Sequence, residues 1–160
     1  MFHRVTLVFA LLALFSGCGD GTSTTPTPPP PPPPPPTPSM ANIEVEINNP
    51  QAFASGMGNL FTFDLTMRET AGLGANINFA RLAVFRATGE LEEIQEIGAD
   101  QIIQGAGDNR LEGSTTETVG VTFFFRATIK VGRQMELTVG FTDDKGNDID
   151  VVQRFVFVRS

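Results

Sequence analysis

The chain predicts an all-β fold, an antiparallel β-sandwich of about seven strands, on three observations. From Met40 onward apolar residues alternate with polar ones at period two, the pattern of strands with one buried and one wet face. Clusters of Gly, Asn and Asp separate the alternating runs, at the spacing expected of a sandwich. No long amphipathic helical stretch occurs, which leaves no crossover helix for a parallel sheet.

Each run supports this in turn. Ile43, Val45 and Ile47 alternate with Glu44 and Glu46. After the turn Gly56-Met57-Gly58-Asn59, Phe61, Phe63, Leu65 and Met67 alternate with Thr62, Asp64, Thr66 and Arg68. Beyond Gly72–Asn76, the residues Ile77, Phe79, Ala83 and Phe85 are expected on one face, interrupted by Arg81. Leu91 to Ile97 fits a strand, and Ala99 to Gln104 fits one helical turn closed by Gly105 and Gly107. Val119, Val121, Phe123, Phe125, Ala127 and Ile129 form the longest stripe. Met135, Leu137, Val139 and Phe141 form the next, and a final β-rich run covers 149–158.

The segment from Met135 through Thr142-Asp143-Asp144-Lys145-Gly146-Asn147 resembles the last hairpin of bacterial immunoglobulin-like modules. The resemblance covers about 25 residues. It implies an immunoglobulin-like sandwich over 40–160 and nothing specific about activity, because such folds host many roles. The Cys…Trp…Cys core of antibody domains is absent, since the chain has no Trp and one Cys.

The first forty residues read differently. Met1-Phe2-His3-Arg4 is a short basic start, Val5–Phe15 is apolar but for Thr6, and Ser16-Gly17 precede Cys18. This is the layout of a secretory signal over 1–17. Its apolar run of about eleven residues is too short for a spanning helix, which needs roughly 20. Leu14-Phe15-Ser16-Gly17-Cys18 resembles the bacterial lipobox, although Phe15 stands where Leu is usual. The resemblance implies cleavage before Cys18 and acylation of that cysteine, which would anchor the chain to the lipid bilayer. Several acyl chains bind far more tightly than one. Gly19, where an Asp would favour retention in the inner membrane, implies the outer membrane. Residues 18–39 make the linker. Nine consecutive prolines, Pro28–Pro36, fix φ and remove donors. They form a polyproline II rod of roughly 3.1 Å per residue.

Composition excludes more than it assigns. Arg4 is the only charge before Cys18, so the rest of the chain carries ten basic against eighteen acidic side chains. That excess argues against nucleic acid, and it disfavours electrostatic adhesion to anionic headgroups. The only histidine is His3, so no serine beyond the signal has a histidine to activate it and no His/Cys zinc site can form. The chain is expected to be no enzyme.

Two acidic clusters remain. Asp143, Asp144, Asn147, Asp148 and Asp150 offer oxygen ligands that a Ca²⁺ ion could use, although the spacing is not that of an EF-hand, and a hairpin built of turn-favouring residues accounts for them equally. Glu90, Glu92, Glu93 and Glu96 are expected to be a solvated face or an edge guard. Phe124, opposite in parity to its neighbours, is expected beneath a crossing loop, or else to mark an apolar contact patch. Arg110 is expected to be a local structural donor. The function expected is that of a membrane-anchored, non-enzymatic envelope module with a protein partner; the alternative is a calcium-dependent adhesion module using 143–150.

Overall fold

The computed structural model describes residues 29–158. The signal segment and Cys18 lie outside the described residues. Two units are separable along the chain, 1–35 and 36–160. Of the first, the described prolines carry no helix or strand and are exposed.

The second unit is an all-β sandwich. Its strands are β1 (Ile43–Ser55), β2 (Gly58–Glu69), β3 (Ala75–Phe85), β4 (Leu91–Gly98), β5 (Arg110–Leu111), β6 (Thr116–Phe125), β7 (Gln134–Asp143) and β8 (Asp148–Val156), with one helix, α1 (Ala99–Ala106), between β4 and β5. One sheet has the order β1-β2-β6 and the other β4-β3-β7-β8, with β5 also on β3. Every pairing is antiparallel. The order β1-β2-β6 against β3-β7-β8 matches the A-B-E and C-F-G strands of the immunoglobulin-type Greek key, with β4 added beside β3. There are eight strands rather than about seven; the extra one, β5, is two residues long and carried no alternation to reveal it. It pairs with Ala75 and Asn76, while β4 pairs with β3 from Phe79 onward.

The core forms where the inward stripes of the two sheets meet. Phe61, Phe63, Leu65 and Met67 on β2 and Met135, Leu137, Val139 and Phe141 on β7 are all buried, as alternation requires. Phe61 packs edge-on against Phe157 with centroids 5.3 Å apart, and Phe63 stacks on Phe123 at 6.0 Å. Aromatic pairs at such spacing add about 1 kcal/mol beyond area burial. Ile129 stays buried although the loop after β6 has left the sheet.

Bulges in β3 and β1 reassign faces. In β3, Ile77 pairs with Phe141 but Phe79 pairs with Gly140, so Asn78 is an extra residue. A one-residue insertion moves every later side chain to the other face. The expected face of Ile77, Phe79, Ala83 and Phe85 is therefore corrected: Ile77, Ala80, Leu82 and Val84 line the core, and Phe79, Arg81 and Phe85 point outward. Phe79 lies over Gly140, where a Cβ would come within 2.2 Å of its ring, and the Arg81 guanidinium sits 4.8 Å above the same ring. In β1 the register shifts between Asn48 and Gln51. The cause is local: Asn49 has φ 52° and Pro50 has no N–H. β1 is an edge strand, and edges and bulges are where a sheet tolerates Pro.

Candidate functional site

The register defines two ends of the sandwich. At the entry end, where the chain arrives from the linker, lie Ile43, Glu69, Ala75, Asp143 and Asp148. At the far end lie Ser55, Gly58, Phe125, Gln134 and Val156.

Two core stripes terminate at the entry end on an acid. Glu69 continues the series Phe61-Phe63-Leu65-Met67, and Asp143 continues Met135-Leu137-Val139-Phe141; both are buried. A buried carboxylate needs donors. Glu69 Oε1 accepts from the backbone N–H groups of Asn42 (3.1 Å) and Ala71 (2.7 Å), and Oε2 from those of Gly72 (2.7 Å) and Ser114 (2.8 Å). Burial pushes this carboxyl up, but the four donors outweigh it and hold it below its ordinary range. Glu69 thus ties the start of β1, the β2–β3 turn and the β5–β6 turn to one point.

Asp143 does the same for the last hairpin. Its Oδ1 accepts from the N–H groups of Lys145 (2.8 Å) and Asn147 (2.9 Å), and Oδ2 from Asn147 Nδ2 (2.9 Å) and the N–H of Ala41 (3.0 Å). The Asn147 amide, with the backbone donors, holds Asp143 far below the usual carboxylate range against the effect of burial. Asn147 Nδ2 also donates to the Ser39 carbonyl at 3.0 Å. The chain therefore enters the domain along a hydrogen-bonded path.

The remaining acidic residues of the hairpin point elsewhere. Asp144 makes a two-pronged ion pair with Arg110, Nη1–Oδ1 2.7 Å and Nη2–Oδ2 2.9 Å. The pair lowers the Asp144 carboxyl and raises the Arg110 guanidinium. Arg110 is a local structural donor, held also by Glu112 at 3.3 Å and lying across Gly74, where a Cβ would sit 2.0 Å from Nη2. Asp148 Oδ1 accepts from Thr142 Oγ1 at 2.8 Å. Asp150 lies on β8 opposite Gly140, exposed. Asp143, Asp144, Asn147, Asp148 and Asp150 are neighbours in sequence but do not converge on one point. Among the described residues no group of three or more His, Cys, Asp or Glu side chains is gathered to hold a metal ion.

The second acidic cluster lies on and beside the edge strand β4, with Glu90, Glu92 and Glu96 exposed, as expected of a solvated edge; Glu93 is the exception. Glu92 pairs with Arg133, Glu96 with Arg81 at 2.7 Å and Glu90 with Arg86 at 3.6 Å. Glu93 faces inward and accepts from the N–H groups of Arg126 (3.1 Å) and Ala127 (2.7 Å) and from Gln95 Nε2 (2.9 Å). Against burial, these donors lower its carboxyl. Glu93 stitches the edge of one sheet to the end of β6 in the other.

Phe124 is also corrected: no loop buries it. Its ring is 41% exposed and lies beside Gly58, where a Cβ would meet its Cζ at 2.7 Å.

The concavities are shallow. One of about 480 Å³ is lined by Phe85, Gly89, Gln134, Arg154 and Val156. Another, of about 530 Å³, lies on the outer face of β1, β2 and β6 beside Glu44, Glu46 and Arg68. Among the described residues no helix is long and apolar enough to cross a membrane.

Sequence reasoning missed Glu69 and Glu93 as structural acids. Their signal was positional: Glu69 occupies the next inward place in an unbroken apolar stripe.

No protein-family model matches the chain, and no curated protein matches it. The solved structures similar to it include the structural genomics target SoR45 (12% identity, TM-score 0.46, covering 72% of this chain and 84% of that one). A putative ApaA protein from Bordetella pertussis is similar at 12% identity and TM-score 0.48, covering 74% of this chain and 94% of that one. A β-glucosidase from Kluyveromyces marxianus matches at 12% identity and TM-score 0.35, over 73% of this chain and 15% of the enzyme. At these scores the likenesses carry no argument about what this chain does.

Proposed function

We propose that this chain is an exported lipoprotein of the bacterial envelope, held in a bilayer (the outer membrane) through acylated Cys18, whose sandwich acts as a non-enzymatic interaction or accessory module. The observation that carries the reading is the sequence of parts: a signal-like segment ending at the lone cysteine, a stiff proline rod, then a domain. A permanent anchor with a stiff spacer fixes height and raises effective concentration for a partner.

The entry end supports a spacer role. Asp143 and Asn147 grip Ala41 and Ser39, so the residues that lead into β1 are tied to the last hairpin. The non-enzymatic part is supported by the use of the inward-facing acids. Glu69, Glu93 and Asp143 spend their oxygens on backbone donors and neighbouring amides, and none is left facing a cleft as a general acid would be.

The test is Cys18→Ser in the native host followed by membrane fractionation. The wild-type chain is expected in the detergent-soluble membrane fraction and the variant outside it. Equal membrane association of the two would refute the anchor.

A further inference from the structure

Four strands end the two sheets, β1 and β6 in one and β4 and β8 in the other. A bare edge is a template for another strand, and proteins guard it with bulges, Pro, charges turned inward or a covering element. β1 has its bulge and Pro50. β4 carries Glu92, Glu93 and Glu96 and runs straight into α1. β6 turns Glu117 inward, opposite Met67, and has α1 beside it. β8 has none of these guards. Its nine residues hold no Pro and no Gly, its register with β7 is unbroken, and its inward series Ile149, Val151, Gln153 and Phe155 contains no charge. β1 lies alongside it in the other sheet but does not pair with it.

The backbone of this edge is in phase to take a further strand. The Asp143 N–H donates to the Asn147 carbonyl at 3.0 Å and the Phe157 N–H to the Arg133 carbonyl at 2.8 Å, at the two ends of the β7–β8 ladder. Antiparallel bonding alternates along a strand, so Ile149, Val151, Gln153 and Phe155 bond to β7. The N–H and C=O groups of Asp148, Asp150, Val152 and Arg154 therefore point to the open side.

The outer row selects the occupant. Asp150 and Arg154, opposite in charge, stand evenly about Val152, which is 54% exposed. A second β8 running antiparallel, with Val152 on the two-fold axis, sets Asp150 of each copy directly opposite Arg154 of the other. Opposite charges so placed stabilise a strand pair, and like charges weaken it. Asp150 forms no ion pair among the described residues. Arg154 donates to Glu136 through Nε at 2.6 Å, which leaves its Nη groups for a second carboxylate. Moving the axis to Gln153 would set Arg154 against Val152 and Asp150 against Val156. Moving it to Val151 would pair Arg154 with Asp148, which already accepts from Thr142, and set Asp150 against Val152.

The inward row gains in the same register. Ile149, Val151 and Phe155 are only partly buried, and Ile149 meets Phe155 of the other copy while Val151 meets its Gln153. Gln153 Oε1 is buried with no donor among the described residues, a costly state for a polar atom. The two Gln153 side chains are diagonal neighbours across the axis, within reach of each other's amides. We infer that β8 pairs with β8 of a second copy of this chain, antiparallel about Val152, so that two β4-β3-β7-β8 sheets join into one. Such a pairing uses the same surface on both copies and closes at two. It goes beyond the anchored-module reading and does not depend on Cys18.

The test is oxidative cross-linking of the full chain in intact cells of the host. In this pairing the two Val152 Cα atoms lie about 5.5 Å apart, inside the range a disulfide bridges. Val152→Cys is expected to give a disulfide-linked dimer. The unchanged chain, with Cys18 alone, is expected to give none, as is Ile94→Cys, at a position 47% exposed on β4. On the Val152→Cys background, Asp150→Arg or Arg154→Asp is expected to reduce the dimer about tenfold, because each sets like charges against each other. Expressed together, these two variants are complementary and are expected to restore it. Asp150 and Arg154 are exposed, so unchanged melting curves of the purified variants will show that they fold. Absence of the dimer overturns the inference, as does an equal yield from Ile94→Cys. A yield that both charge variants leave intact, or a loss that co-expression does not repair, overturns it too, and so does a product whose mass shows a different protein on β8. The dimer is read wherever the chain resides, so failure here leaves the acyl anchor untouched, and the reverse holds.

Discussion

The carboxylate of Asp143 accepts a hydrogen bond from the backbone N–H of Ala41, 102 residues earlier, at 3.0 Å. That bond joins the first ordered residues of the sandwich to its last hairpin. Glu69 makes the equivalent bond to Asn42 from the opposite sheet, so the entry strand is gripped from both sides.

Acid should loosen this grip. Both carboxyls are held below their ordinary range in the folded state, so the stability they contribute is complete above the unfolded carboxylate value of about 4 and is lost as pH falls through the folded values. Melting temperature is expected to be level from neutral pH to about 5 and to fall below that. Glu69→Gln is expected to lower stability at neutral pH by about 2 kcal/mol in urea titration, because a donor replaces an acceptor among four N–H groups. Its deficit, and that of Asp143→Asn, should narrow as the wild type is acidified. A gap that stays constant down to pH 3 would show that folding shifts neither carboxyl.

Calcium is expected to have no effect. The oxygens of Asp143 and Asp144 are committed to Asn147, Ala41 and Arg110, Asp148 accepts from Thr142, and Asp150 stands opposite Gly140 on β8. A ligand of the folded state must raise apparent stability. Melting curves in millimolar calcium and in chelator should therefore superimpose, and a rise with calcium would reinstate a site at 143–150.

Two glycines should respond with opposite signs. A Cβ at Gly58 would lie 2.2 Å from the Phe125 carbonyl oxygen, a backbone atom that cannot step aside, so Gly58→Ala should cost about 2 kcal/mol. Gly105 lies inside α1 with nothing within 4 Å of its would-be Cβ, and Gly105→Ala should stabilise by roughly 0.5–1 kcal/mol. Denaturant midpoints of the two variants will decide both.

Adjacent phenylalanines should differ sharply. Phe123 is buried against Phe63 and Phe125, and Phe123→Ala should cost about 3–5 kcal/mol. Phe124, on the outer face, should cost under about 1 kcal/mol when changed to Ser. Similar losses for both would mean that the outer row is covered in the free chain.

β2, β7 and the inward half of β6 were legible because period two persists without interruption and the apolar residues are large. β3 was legible as a strand but not as a face. Its bulge at Asn78 adds one residue and changes no composition, and Arg81 in mid-stripe was its only trace. The last hairpin was legible as a hairpin, with Asp144 and Asn147 in its turn and Asp143, Asp148 and Asp150 on its strands. Proximity in sequence could not tell whether they share a centre, because a hairpin sends successive side chains to opposite sides. Glu69 and Glu93 escaped because a charge in a sequence reads as wet until its donors are known. Those donors are backbone N–H groups, which every sequence has and none displays.

The kink at Asn49-Pro50 also governs how neighbouring molecules can meet. An uninterrupted edge of thirteen residues would be an inviting template for a foreign strand. Here the template is cut into two stubs, 43–48 and 51–55, on opposite sides of the bulge, and a strand in register with one is out of register with the other. Lateral fibre growth from this side of the domain is thus blocked at its first step.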